Sequence, residues 1–140
     1  MVNDSCKIIG NMMIDAHFWQ AYCDPYFKFE NTIPTGDFVI VTANNPASQR
    51  LSDHENLLRN SRLQCDLALY KYSQVLVGNG DFSWSEISFA SVISVTLAIE
   101  LGRKYQQNAI YFVQDEQINL LSCLPDRTKI NLGEWRYRIR

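Results

Sequence analysis

Phe38-Val39-Ile40-Val41-Thr42-Ala43-Asn44-Asn45-Pro46, reopening at Ser52-Asp53-His54-Glu55-Asn56 and running on to Asn60, is the stretch on which the fold turns. Phe38 to Thr42 is apolar and β-branched, the composition of a buried strand. Asn45-Pro46 ends it with turn chemistry, because asparagine hydrogen-bonds its own backbone and proline fixes φ. Ser52 and Glu55 then match a capping box, in which the serine oxygen takes one free backbone N–H and the glutamate reaches back to another. A strand that ends in amides and feeds a helix N-terminus sets hydrogen-bonding groups where α/β and α+β proteins often hold polar ligands.

Working outward, Asn56, Asn60, Leu63, Leu67 and Tyr70 recur at steps of four, three, four and three, which predicts one helix over 53–72 with two amides on its inward stripe. Gln74 to Val77 reads as a short strand and Gly78-Asn79-Gly80-Asp81 as a turn. Trp84 to Ile93 alternates as a two-faced strand. Ser94 caps a second helix with Leu97, Leu101 and Tyr105 inward, and Gly102 within it predicts close approach to a neighbouring strand. Asn108 ends that helix, and 109–113 with 118–122 form a hairpin placed at the far edge of the sheet.

On the N-terminal side, Met12, Met13, Ala16, Trp19, Ala21 and Tyr22 follow helical spacing up to Asp24-Pro25. Tyr26 to Glu30 is a strand expected to form a hairpin with Phe38–Thr42 across the Pro34-Thr35-Gly36-Asp37 turn. Trp135 to Arg140 alternates apolar residues with Arg136, Arg138 and Arg140, as a terminal strand with a cationic face would. The resulting expectation is an α+β domain over 1–140: a single-layer, mostly antiparallel sheet packed by two main helices. The ferredoxin-like order β-α-β-β-α-β gains an extra N-terminal helix and strand and a C-terminal strand.

Length and composition fit one core: 140 residues, 46% hydrophobic and 20% charged. A formal net charge of −2 gives no global field for nucleic acid or an anionic membrane. Cys6, Cys23, Cys65 and Cys123 lie far apart with no Cys-x-x-Cys pair, and His17 and His54 are the two histidines, so no metal is expected and the thiols are read as reduced. The N-terminus has no secretory pattern and no apolar run approaches the ~20 residues of a membrane span, so the expectation is a cytoplasmic protein. No phosphate-loop or dinucleotide fingerprint and no Gly-x-Ser-x-Gly elbow occurs, so no cofactor is expected.

The candidate binding residues are Asn45, Asn56, Arg59, Asn60, Trp84 and Glu86. An amide facing a core needs its donors and acceptor filled, since leaving one unmade costs roughly 1–3 kcal/mol. For Asn56 and Asn60 the partner is either the backbone of the 43–51 loop or a ligand. Arg59 suits a carboxylate or phosphate, or a surface ion pair. Trp84 and Glu86 lie two apart on one strand face, either as a stacking platform beside a carboxyl or as a solvent edge.

Thr42-Ala43-x-Asn45-Pro46, Glu55-Asn56-x-x-Arg59-Asn60, Trp84-x-Glu86 with Phe89, and Gln107-x-Ala109-Ile110 together resemble the bacterial family catalogued as domain of unknown function three-two-nine-three. The resemblance covers most of the chain after Tyr26. It implies small bacterial proteins with a grouped polar site, and no particular chemistry. The leading expectation is a non-enzymatic module for a small polar ligand or a protein partner. The alternatives are a hydrolase or transferase on a nucleotide-like or amide substrate with Glu86 as acid/base, and a structural domain that forms a homodimer through a sheet edge.

Overall fold

A computed structural model describes residues 16–140. Helix α1 (Ala16–Tyr22) leads into β1 (Tyr26–Phe29) and β2 (Phe38–Val41). A 3-10 turn (Pro46–Ser48) precedes α2 (Asp53–Leu67), followed by β3 (Tyr72–Gly78), β4 (Ser85–Ser91) and α3 (Val95–Lys104). The chain finishes with β5 (Ala109–Gln114), β6 (Gln117–Ser122), β7 (Lys129–Glu134) and a second 3-10 turn (Trp135–Arg138). The seven strands form one antiparallel sheet in the order β1-β3-β4-β2-β5-β6-β7. The fold is thus α+β with a mostly antiparallel sheet, as the sequence predicts. Met12, Met13 and Cys6 lie outside the described residues.

Both local helix signals hold. In the capping box, Glu55 N donates to Ser52 Oγ at 3.1 Å and Ser52 N donates to Glu55 Oε1 at 3.3 Å. Ser94 Oγ accepts from Leu97 N at 3.1 Å to open α3. A Cβ on Gly102 would lie 2.6 Å from Cys123 Sγ and 3.3 Å from Ile110 Cγ2, so the glycine sets how closely α3 packs on β5. Helices α2 and α3 cover one sheet face, burying Val39, Val41, Leu63, Leu67, Phe89 and Leu101.

The strands form one sheet, and its opposite face is buried as well. It holds a second core of Phe27, Phe38, Ile40, Val75, Ile118 and Trp135. The Trp135 ring meets Phe38 edge-on at 5.1 Å and Phe27 at 6.4 Å. The curl of the sheet and Trp135 from the C-terminal 3-10 turn together cover this face. The C-terminus closes the curl: Ile139 bridges to Phe27, and Arg140 N donates to Phe27 O at 2.7 Å.

Four expectations are corrected by pairings distant in sequence. Strand β1 does not form a hairpin with β2; it pairs with β3, Tyr26 opposite Gly78 through Phe29 opposite Val75. The 53–72 helix stops at Leu67, because Tyr72 is drawn into register with Ser91 and Lys71 O accepts from Ser91 Oγ at 2.8 Å. Tyr70 therefore leaves the inward stripe and is exposed. The β5–β6 hairpin is not at the edge, since β7 pairs beyond it. The Trp135–Arg140 segment is no strand: Trp135–Arg138 is a 3-10 turn, and the arginines scatter, with Arg136 meeting Glu116 and Glu134, Arg138 meeting Asp24 at 2.9 Å, and Arg140 lying over the Tyr26 ring at 4.3 Å.

Candidate functional site

Strand β2 ends at Val41, and the chain from Thr42 to Leu51 crosses the rim of the curled sheet. Asn45, Ala47 and Ser48 have φ of 45°, 52° and 61°, the left-handed region that costs alanine and serine most of what glycine escapes. Such a backbone persists only when its surroundings over-determine it. Asn56 Oδ1 accepts from Asn45 N, and Asn56 Nδ2 donates to Asn45 Oδ1, each at 2.9 Å. Asn60 Oδ1 accepts from Ala43 N at 2.9 Å, and its amide donates to Asn44 Oδ1 at 2.5 Å. Arg59 Nε donates to Ala43 O at 2.7 Å, Gln107 Nε2 to Asn44 O at 2.8 Å, and Ala47 N to Gln106 O at 2.7 Å. One face of α2 and the chain after α3 together fix the loop.

Inside this rim, at one end of the concave sheet face, lies a cavity of about 580 Å³. Its opposite end is filled by the aromatic core around Trp135. Ile40, Glu86, Ser88 and Tyr111 line the sheet side, and Tyr22 of α1 lies across from them. Glu86 is only partly exposed, and its Oε2 accepts from Asn45 Nδ2 at 2.8 Å. Among the described residues its Oε1 has no hydrogen-bond partner, and it is open to the cavity. Burial pushes the Glu86 carboxyl up to about 7, with the Asn45 N–H opposing in part.

A second polar group faces it. Tyr22 Oη and Ser48 Oγ share a hydrogen bond, Asn108 Nδ2 donates to Tyr22 Oη at 3.0 Å, and Tyr111 Oη donates to Tyr22 O at 2.6 Å. Burial raises both phenols, so they act as neutral donors at physiological pH. At the mouth stand Trp84, 51% exposed, and Arg50, with Asp53 from the first turn of α2.

Of the six residues singled out from the sequence, Asn45, Asn56, Trp84 and Glu86 line this cavity. Arg59 and Asn60 stand behind the loop, with Arg59 also donating to Tyr105 O and Asn60 only 3% exposed. Arg59 borders a separate shallow depression with Arg62, Asp66 and Lys104. The Asn56 and Asn60 amides thus find their partners in the 43–51 loop. Sequence reasoning missed Tyr22, Ser48, Arg50, Asn108 and Tyr111. Asn108 and Tyr22 were visible only as helix ends, and no glycine marks the left-handed turn at Ala47 and Ser48.

Of the carboxyls in the first turn of α2, Glu55 is committed to the capping box, whereas Asp53 lines the cavity with Glu86. Among the described residues, no three His, Cys, Asp or Glu side chains group as a metal site, and no helix is long and apolar enough to cross a membrane. A family model described as protein of unknown function (DUF3293) matches residues 41–110, half of the chain, which includes Asn45, Arg50, Asn56, Trp84 and Glu86. No curated protein and no solved structure matches.

Proposed function

The chain belongs to the family described as protein of unknown function (DUF3293), and on that premise we propose that it binds a small polar ligand in the cavity at the end of its curled sheet. The observation that carries this reading is Glu86, a partly buried carboxyl with one oxygen on Asn45 and the other open to the cavity. A carboxyl removed from water without a full set of partners is unfavourable for folding, and a ligand that completes the set recovers that loss. The strained loop that delivers Asn45 supports the reading, because such backbone concentrates at binding sites. The volume suits a metabolite-sized molecule. We read the central strands β5-β2-β4-β3, with α2 and α3, as the split β-α-β arrangement that holds this rim.

A thermal-shift screen of polar metabolites tests the assignment. Hits should lose their effect in Glu86→Gln and Trp84→Ala and keep it in Arg62→Ala, outside the cavity. Hits indifferent to both cavity substitutions would remove the proposed site.

A second reading, an acid/base hydrolase or transferase, is favoured by one observation. A carboxyl at about 7 exchanges protons readily at neutral pH, and Asn45 Nδ2 fixes its orientation at 2.8 Å. Product release from amide or phosphoester substrates that is abolished in Glu86→Gln would select this reading over simple binding.

A further inference from the structure

The open oxygen of Glu86 also restricts what the ligand can be. Asn45 Nδ2 already satisfies Oε2, so Oε1 is an acceptor facing the cavity. Among the described residues three carboxyls line the cavity, and Asp24 among them is held by Arg138 at 2.9 Å. That leaves Asp53 and Glu86, neither of them in an ion pair among the described residues, against Arg50, the one Lys or Arg side chain among the described lining residues, and the His17 imidazole. Arg50 is exposed at the mouth, while Glu86 lies on the sheet side. The half-exposed Trp84 ring adds a π-face, which attracts cations and N–H edges.

We propose that the cavity takes a ligand with a basic or N–H-rich nitrogen group, such as an amidine, an amine or an amino-substituted heterocycle, which donates to Glu86 Oε1 and stacks on Trp84. The proposal rests on the cavity being a binding site and adds its chemical class. A cationic nitrogen completes the Glu86 hydrogen-bond set and replaces its lost hydration with a charge-assisted bond. An anionic ligand would set like charge against Glu86 and Asp53. A neutral ligand that offers only carbonyl oxygens would bring an acceptor to an acceptor, and a neutral amide N–H would make the weaker, uncharged bond.

Benzamidine, benzamide and benzoate are isosteric probes of this class. Titration calorimetry at pH 8 should show benzamidine binding at least about tenfold more tightly than benzamide, which is the value of one charge-assisted bond over a neutral one, with benzoate weakest. Glu86→Gln should lower benzamidine affinity by about tenfold or more and leave benzamide nearly unchanged. Trp84→Leu alters an exposed residue outside both cores, and should weaken benzamidine with the melting temperature preserved. Equal affinity for the three probes, a benzoate preference, an undiminished benzamidine preference in Glu86→Gln, or no binding by any probe would each overturn the proposal. The two readings fail separately: screen hits that are neutral or anionic yet depend on Trp84 would sink the nitrogen class and leave the binding site standing, whereas hits indifferent to the cavity substitutions would sink both.

Discussion

Glu86 should make the protein less stable as pH rises, and replacing it should reverse that loss. Its carboxyl ordinarily titrates at 4.5, and in the folded protein burial moves it to about 7. The folded state therefore holds the proton more tightly than the unfolded one. The sign follows from linkage: below 4.5 the group is neutral in both states and carries no penalty, and between 4.5 and about 7 the unfolded chain ionises first, so stability falls. Above about 7 the full penalty stands, and the separation of those two values corresponds to roughly 3 kcal/mol. Glu86→Gln preserves an oxygen for Asn45 Nδ2 and removes the ionisation. Urea unfolding of both proteins from about pH 4 to pH 8.5 should give a stability difference near zero at the acid end, rising to roughly 3 kcal/mol in favour of the variant at the alkaline end. In melting temperature that is about 6–12 °C for a chain of this size. Other groups titrate alike in both proteins and cancel in the difference. A difference that stays flat across the range would refute the burial of Glu86 and the cavity chemistry built on it.

Asn60→Ala should destabilise by about 2–4 kcal/mol, because it leaves Ala43 N and Asn44 Oδ1 without partners in a buried setting, and denaturant midpoints will show it. Gly102→Ala should cost about 1–3 kcal/mol by driving a methyl into Cys123 Sγ, and Cys123→Ala in the same chain should recover most of the loss; a purely conformational role for the glycine predicts no recovery. With a thiol reagent at pH 8, exposed Cys65 should react in minutes. Buried Cys123, its thiol pushed up to about 12 by burial, should react only on unfolding, as mass spectrometry of the labelled peptides can determine.

What could be read from the sequence and what could not divide along contact distance. The capping box at Ser52 and Glu55, the β-branched run at Phe38–Val41 and the helix opened by Ser94 are local, and each appears where its pattern predicts. Two inward amides on a helix are also a local observation; their demand for partners left the loop and a ligand as alternatives, and the loop is what they hold. The second core escaped notice because Phe27 and Trp135 meet only once the sheet has curled, a consequence of twist and closure rather than of spacing. Strand β7 escaped because it has no buried residue to mark an inward face: Lys129, Ile130 and Asn131 are all exposed. The same distance effect hid half of the site: Tyr22 reaches Asn108 from 86 residues away, while Trp84 and Glu86 sit two apart on one chain segment.

The central claim is that a ligand seats on Glu86 at the end of the curled sheet. A crystal structure of the protein with a screen hit tests it most directly. A ligand nitrogen within about 3 Å of Glu86 Oε1, with Asn45 Nδ2 still on Oε2, is the predicted result. Ligand density in the Arg62–Lys104 depression, or anywhere that leaves the Glu86 cavity filled by solvent, would contradict it.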